Sequence, residues 1–362
     1  MFVLDTHCDT PSQILRLRNL SIDNDHAHVD FPKLRKGGVD GVFFALYVPA
    51  GFDADPDAGF AYACRLLEGV EKAVYDNSSE VAFATSYEEA MRNRNNSHLS
   101  VFLGLENGSP IGSSLERLSY FRDRGVRYVT LCHSADNQIC DSCASAKGRW
   151  GGLSPFGRDV VAEMNRLGLL VDVSHASDAT FFDVLEYSSR PPVATHSCCR
   201  AICDHPRNMT DDMIRALASA GGVIQINFYP MFLDSGFKRI LAESGIAERG
   251  EIIEQEFIAD PGNPLRRTAW YGVIDQIQAL ARPSFRRIAD HIDHVVEIAG
   301  IDHVGIGSDF DGIEVTPDGM EDVSMLPKLF DELRVRGYSE SDISRIAGGN
   351  FLRVLNSSDA LQ

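Results

Sequence analysis

Short apolar runs recur along this chain, and each ends in Gly, Pro or a polar cluster. The first is the Val3-Leu4 segment leading into Asp5-Thr6-His7, and seven more follow at 41–48, 100–105, 127–132, 169–174, 192–195, 222–227 and 303–308. Runs of this length between turn-forming residues predict β-strands. Amphipathic stretches that predict helices lie between most of them, at 57–75, 114–124, 154–167, 176–187, 210–220 and 285–299.

The alternation of strand and helix predicts parallel strands joined by helical crossovers. Eight such units predict an α/β fold of the (β/α)₈ TIM-type barrel. In that fold, active sites lie at the carboxyl ends of the strands. The sequence therefore predicts that any residue directly after an apolar run faces one common barrel mouth.

Chemically active side chains stand at that position in six of the runs. They are His7 with Asp9, Glu106, His133, His175, His196 and Asp309. Residues i and i+2 of a strand share a side, so His7 and Asp9 can hold one cation, and both ligand types suit zinc. Taken singly, Glu106 could be a buried carboxylate paired with an arginine, and each histidine a hydrogen-bonded core residue. Together they favour a metal site at the barrel mouth.

One interval departs from the regular alternation of strand and helix. Between Tyr229 and Phe285 the chain holds a charged helical stretch around 238–257 and a turn-rich segment at 260–264. We predict a single barrel domain over residues 1–362 with a helical insertion at about 232–284. Such an insertion can act as a lid or an oligomer contact, and an exposed helical hairpin fits equally well.

Composition and charge narrow the class of protein. Hydrophobic residues make up 44% of 362 residues, and 52 acidic against 34 basic residues give a net charge of −18. This balance argues against a nucleic-acid partner bound through a basic surface. No apolar stretch reaches the roughly 18 residues that span a bilayer, so we expect no membrane association. No secretory signal is visible, so we expect a cytoplasmic protein with reduced thiols.

The cysteines include one spaced pair, Cys140 and Cys143, that suggests half a zinc finger or a redox pair. Its other half would have to come from Cys198, Cys199 and Cys203, which lack the usual spacing. A structural zinc or redox role is therefore the weaker interpretation. Cys8 lies between two proposed ligands but should point to the opposite side of its strand and pack there.

At this point the chain resembles the zinc dipeptidases related to renal (membrane) dipeptidase, a binuclear branch of the amidohydrolase-like barrels. The resemblance covers nearly the whole chain outside 232–284. It rests on nine segments in matching order and spacing: DTHCD (5–9), GLENG (104–108), TLCHS (130–134), GLSPFG (152–157), DVSH (172–175), THS (195–197), RNM (207–209), NFY (227–229) and GSDFDG (307–312). One feature departs from the family, because its common Glu-Gly-Gly is here Glu106-Asn107-Gly108.

The resemblance implies a set of roles for residues of this chain. His7 and Asp9 would hold one zinc, His175 and His196 the other, and Glu106 would bridge them. His133 and Arg207 would contact substrate, and Asp309 would lie beside the first metal. The resemblance also implies a homodimer.

The chemistry of the residues supports these assignments in part. A shared carboxylate suits two neighbouring cations, which can generate a bridging hydroxide near neutral pH. His133 could be a third ligand, a general base or an oxyanion donor, and we favour the donor. Arg207 could clamp the free carboxylate of a dipeptide, Asp309 could relay a proton to the leaving amine, and Tyr229 could line the pocket.

The sequence therefore predicts an enzyme with two Zn²⁺ per chain that hydrolyses the amide bond of dipeptides. The resemblance favours tolerance of a D-residue at the C-terminal position. Other amidohydrolase chemistry on the same scaffold, as a deacetylase, lactonase or deaminase, is the first alternative. A non-catalytic metal-binding barrel is the second, disfavoured because every ligand and acid–base group is present.

Overall fold

The computed structural model describes residues 1–359, so the last three residues of the predicted domain 1–362 lie outside the described part. The strands are β1 Leu4–Cys8, β2 Gly41–Tyr47, β3 Val81–Phe83, β4 Leu99–Glu106, β5 Val126–Thr130, β6 Leu170–Asp172, β7 Val193–Ser197, β8 Val223–Ile226 and β9 Val304–Ile306. The helices are α1 Thr10–Leu15, α2 Phe31–Lys36, α3 Pro56–Asp76, α4 Tyr87–Asn95, α5 Glu116–Asp123, α6 Pro155–Leu167, α7 Asp178–Tyr187, α8 Asp211–Ser219, α9 Pro230–Leu233, α10 Ser235–Ser244, α11 Ile246–Ala259, α12 Pro264–Gln278, α13 Arg286–Ala299, α14 Leu326–Val335, α15 Glu340–Ser344 and α16 Asn350–Asp359.

Eight parallel strands form the predicted barrel, in the order β1-β2-β4-β5-β6-β7-β8-β9. The ends approach each other beyond β9, where the Asp309 N–H donates to the His7 carbonyl at 3.0 Å and the Asp9 N–H to the Phe310 carbonyl at 2.9 Å. The nearly closed barrel confirms the predicted fold class. The extra strand β3 pairs only with the start of β4, and three residues are too few to show a strand periodicity in sequence.

Local signals place the helices where the amphipathic stretches predict them. Ser154, Ser177 and Thr210 cap α6, α7 and α8 by accepting a backbone N–H three residues on. Gly168 ends α6 in the left-handed conformation, at φ 73°. These caps satisfy backbone groups that a helix end leaves unpaired.

An apolar cluster takes residues from successive strands, among them Leu4, Phe43, Phe102 and Tyr128. The rings of Phe43 and Phe102 stack at 4.7 Å, and Phe351 of α16 meets Phe43 at 5.3 Å. Side chains contributed by successive strands are the pattern that fills a barrel interior. The interior of the barrel is therefore packed with side chains and is not an open channel.

The interval 232–284 holds helices α10, α11 and α12 with an apolar cluster of its own, which includes Phe237, Phe257 and Trp270. The predicted charged helix around 238–257 is broken at Gly245, whose φ of 63° ends α10 before α11 begins. Arg16, which directly follows α1, pairs with Glu254 of α11 at 3.5 Å, so α11 is tied to the barrel mouth.

Among the residues that the structure describes, no helix combines the length and apolar character needed to cross a bilayer. The eight cysteines carry free thiols, and six of them are buried: Cys8, Cys132, Cys140, Cys198, Cys199 and Cys203. Cys8 packs in the core and lies 3.3 Å from an Asp5 carboxylate oxygen.

Candidate active site

Glu106 lies at the centre of the barrel mouth, as the last residue of β4. Its Oε2 is 3.3 Å from His7 Nε2, whereas its Oε1 is 3.1 Å from His175 Nε2 and 3.3 Å from His196 Nε2. The two oxygens of one buried carboxylate therefore face two different groups of ligand-type nitrogens. This is the geometry expected of a carboxylate shared by two cations.

His7 and Asp9 meet on one side of Glu106, with His7 Nε2 3.6 Å from Asp9 Oδ2. They do so by a route that the strand alternation did not predict, because β1 ends at Cys8 and Asp9 begins the turn into α1. Both side chains are buried, yet His7 Nε2 and Asp9 Oδ1 have no hydrogen-bond partner in the described structure.

His175 and His196 converge on the other side, with their Nε2 atoms 3.0 Å apart. His196 Nδ1 is 2.8 Å from Thr195 Oγ1, whose hydroxyl donates to Asp172 Oδ2 at 2.7 Å. Because that hydroxyl proton is committed to Asp172, Thr195 accepts from the His196 Nδ1–H, and the free lone pair stands on Nε2.

A hydroxyl orients His7 in the same way. The Tyr128 hydroxyl lies 2.9 Å from His7 Nδ1 and 3.3 Å from the Thr6 carbonyl, to which it can donate. Its oxygen then accepts from Nδ1–H and leaves Nε2 free to face Glu106 and Asp9. Tyr128 has room to do this because β4 carries Gly104, where a Cβ would lie 2.1 Å from the Tyr128 ring.

These residues fit divalent metals. Three groups of His and carboxylate residues offer ligand atoms within 4.8 Å of one another: His7–Asp9–Glu106, Glu106–His133–His175 and His7–His196–Asp309. Imidazole and carboxylate ligands suit zinc. The unpartnered, buried His7 and Asp9 atoms are ones that a cation would satisfy.

The electrostatics of the cluster agree with that fit. Burial, then repulsion from Glu106, raises the pKa of Asp9 to about 6. Burial, then repulsion from Asp9, raises the pKa of Asp309 to about 7. Burial lowers the pKa of His175 and of His196 far below the usual range, with Arg207 adding to both, so these imidazoles are neutral. Burial acts to lower the pKa of His7, but the charges of Glu106 and Asp9 outweigh it and raise that pKa well above its usual range. Crowded carboxylates beside the neutral imidazoles of His175 and His196 form a donor set that favours a bound cation.

A cavity of about 440 Å³ opens over the cluster. Arg207 lines it and is only 6% exposed, which excludes an ordinary surface arginine. Its Nη1 donates to Ser197 Oγ at 2.9 Å and its Nη2 to the His196 carbonyl at 2.7 Å, while Nε has no partner in the described residues. The guanidinium is thus fixed in place and keeps donors for a ligand.

Asp309 and Tyr229 occupy another wall of the same cavity. Asn227 Nδ2 donates to Asp309 Oδ2 at 2.8 Å and holds a residue whose backbone is left-handed, at φ 64°. The Tyr229 hydroxyl donates to Glu314 Oε2 at 3.0 Å. Asp311 also borders the cavity, but its carboxylate accepts from Thr10 at 2.8 Å and from Arg18 at 2.5 Å, which gives it a structural setting.

His133 lines the same cavity, with Nε2 3.9 Å from Glu106 Oε1 and its ring against Tyr47 at 4.7 Å. Burial, with the positive charge of Arg207 second, lowers its pKa to about 3, so its ring is a neutral donor and acceptor. It is near enough to Glu106 and His175 to belong to a ligand group, so the structure leaves both the donor and the ligand interpretations open.

The structure gathers every candidate residue named from the sequence at the barrel mouth. The sequence analysis did not identify the residues that hold these side chains in position. Those residues are Tyr128, Asp172, Thr195 and Asn227. Asp172 could have been found, since it ends a strand just as the ligands do. Tyr128 lies within an apolar run, where nothing in the sequence distinguishes it from a core ring.

A parallel (β/α)₈ barrel whose mouth gathers histidines around a shared carboxylate defines the class of metal-dependent hydrolases of the amidohydrolase-like type. A family model described as membrane dipeptidase, peptidase family M19, matches residues 1–362. The chain therefore belongs to the membrane dipeptidase family, and it is a metallo-dipeptidase by that membership.

Relatives and solved structures match this chain along nearly its whole length. An uncharacterized dipeptidase of Schizosaccharomyces pombe is 32% identical over 99% of this chain and 81% of its own length. Dipeptidase aclJ of Aspergillus oryzae is 32% identical over 98% of this chain and 75% of its own. The probable dipeptidase PvdM from Pseudomonas aeruginosa superposes with a TM-score of 0.83 at 26% identity, covering 100% of this chain and 96% of that one. A metallo peptidase from Rhodobacter sphaeroides, liganded with a phosphinate mimic of the dipeptide L-Ala-D-Ala, gives a TM-score of 0.78 at 25% identity and covers 99% of both chains.

Proposed function

We propose that the protein is a binuclear zinc dipeptidase that accepts a D-residue at the C-terminal position. The observation that carries this proposal is the placement of Glu106, with one oxygen towards His7 and Asp9 and the other towards His175 and His196. These five residues would hold two divalent metals. When bound, the metals supply an activated water and polarise the scissile carbonyl.

The chain's own residues bind and orient the dipeptide. Arg207 would take the substrate's C-terminal carboxylate, because it lines the cavity from a buried position that Ser197 and the His196 carbonyl fix. The scissile bond would then lie near Glu106. His133, which lines the same cavity, would donate to the oxyanion that develops at the carbonyl.

Asp309 would move the proton. Its Oδ2 is held by Asn227, which leaves Oδ1 to take a proton from the attacking water and return it to the leaving amine. Tolerance of a D-residue is supported by the ligand seen in the Rhodobacter sphaeroides peptidase, which mimics L-Ala-D-Ala. The homodimer and the cytoplasmic location stay predictions.

Metal analysis and a substrate panel test the proposal. Zinc-loaded protein should bind two metals per chain and hydrolyse L,L- and L,D-dipeptides but not N-blocked or C-amidated controls. His175→Ala should lose one metal more readily than the matched variant His133→Ala. A single metal per chain would contradict the binuclear site, and turnover of amidated substrates or lactones alone would favour another amidohydrolase chemistry.

A further inference from the structure

A second cavity of about 240 Å³ adjoins the substrate cavity and shares Tyr229, Glu254 and Glu314 with it. Its walls come from helices α10, α11 and α12, from Tyr229 and from the segment after β9. Leu241, Ile277 and Val315 make these walls largely apolar. Space of this kind beside a reaction site can take a side chain of the substrate.

The charged side chains that line this second cavity are all acidic. Glu251, Glu254 and Glu314 line it, and its lining includes no basic side chain. Arg16 pairs with Glu254 from the neighbouring wall at 3.5 Å, yet burial still leaves the pKa of Glu254 raised. Glu314 accepts the Tyr229 hydroxyl and has no ion-pair partner within the described residues. The Glu314 carboxylate therefore borders the cavity without an ion pair of its own, although Arg16 and Arg18 line an adjoining space with it.

Two further features suit a cationic side chain. The rings of Tyr229 and Trp270 line the cavity and can face an ammonium or guanidinium group. Apolar walls with acidic groups match a long aliphatic stem that carries a charged head.

A line of contacts indicates which end of the dipeptide reaches this cavity. The Arg207 guanidinium lies 5.7 Å from the Phe232 ring, and the Phe232 ring packs against the Tyr229 ring at 5.0 Å. The Tyr229 hydroxyl in turn donates to Glu314. If Arg207 holds the C-terminal carboxylate, the side chain on the Cα that bears this carboxylate would extend along these rings. The N-terminal residue of the dipeptide would then lie beyond the scissile bond, away from this second cavity.

We infer that the cavity next to Glu314 is a specificity subsite for a basic side chain, lysine- or arginine-like, on the C-terminal residue of the dipeptide. The inference rests on the proposed dipeptidase function and names its substrate class. Glu314 is the principal determinant, because Glu254 is partly neutralised by Arg16 and Glu251 is exposed.

Arginine and citrulline have side chains of nearly the same shape and differ in charge, so they provide the test. We would measure kcat/KM of the zinc-loaded protein for glycyl-arginine and glycyl-citrulline, each with the L- and the D-residue. For the enantiomer hydrolysed faster, the arginine substrate should be preferred by about tenfold, as for a partly exposed charge-assisted contact. Glu314→Gln keeps an acceptor for Tyr229 and should bring the ratio close to one.

Glu256→Gln is the matched control, since Glu256 is an exposed residue of α11 outside the lining of this cavity, and it should keep the ratio. Hydrolysis of both substrates without preference would overturn the subsite alone. A preference that survives Glu314→Gln would overturn its assignment to Glu314. Faster hydrolysis of glycyl-glutamate than glycyl-glutamine would show that Arg16 dominates and would overturn it too. Hydrolysis of no dipeptide at all would refute the proposed function and the subsite with it.

Discussion

Gly312 lies against two acidic residues of the candidate site and leaves no room for a side chain. A Cβ at this position would lie 2.1 Å from Asp9 Oδ2 and 2.8 Å from Asp309 Oδ1. Real Cβ atoms essentially never come closer than 3.0 Å to another heavy atom, so in Gly312→Ala one partner must retreat by about 0.9 Å. The backbone here is held by the Asp9 N–H to Phe310 carbonyl bond at 2.9 Å and by Thr10 on Asp311. The Asp9 carboxylate is therefore the group that moves.

A misplacement of about 1 Å in a reacting constellation costs about 100-fold in rate, which corresponds to about 2.7 kcal/mol. We expect kcat/KM of Gly312→Ala for a dipeptide to fall by about this factor and the affinity for one of the two metals to fall with it. The fold should be nearly unaffected, because Gly312 is exposed and its φ lies outside the left-handed region.

The assay combines steady-state kinetics, metal content after dialysis, and thermal unfolding. Gly51→Ala is the control, since Gly51 is also exposed and a Cβ there meets nothing within 4 Å. A Gly312→Ala protein that keeps full activity and its full metal content would refute the placement of Asp9 as a ligand. A large loss of thermal stability would show that the backbone, not the carboxylate, had moved.

Four further predictions follow from the geometry. Arg207→Met should weaken dipeptide turnover by about 2–3 kcal/mol and remove the preference for free over amidated C-termini; a variant that still discriminates would exclude the carboxylate clamp. Asp309→Asn should lower kcat by about 10²–10⁴-fold while both metals stay bound, so loss of a metal would make Asp309 a ligand first. Tyr128→Phe removes the acceptor for His7 Nδ1–H and should weaken metal binding by about 10–100-fold in a chelator competition; unchanged affinity would show that Tyr128 does not orient the ligand. Burial lowers the pKa of His291 to about 4, and its Nδ1 accepts the Cys199 N–H while Nε2 faces the Leu233 carbonyl, so the folded state requires the neutral ring. Because the unfolded pKa is about 6.5, the stability from His291 is complete above that pH and is lost as the pH falls from about 6.5 towards 4, by an amount on the order of 3 kcal/mol. Urea unfolding should therefore give His291→Gln a lower free energy of unfolding than the parent protein at pH 7 and a smaller loss of that free energy in acid. An equal dependence on pH in the variant and the parent would contradict this account.

The sequence by itself determined the parts of this protein that depend on neighbouring residues. Apolar runs and 3.6-residue periodicity are properties of short segments, so the barrel strands and their helices could be predicted close to their observed positions. Glu106, His175 and His196 could be picked out because each directly follows an apolar run and because the carboxyl ends of parallel strands meet at one edge.

The tertiary structure alone decided how those residues are held and what surrounds them. Tyr128 becomes the partner of His7 only because Gly104 on the adjacent strand leaves space for its ring. Asp9 reaches His7 through the turn after β1 instead of along the strand. Glu314 and Glu254 line one cavity although they are far apart in sequence, since the insertion folds back over the barrel mouth. Packing between distant segments sets such contacts, and no local pattern in the sequence encodes the distance between two side chains that meet only when the barrel closes.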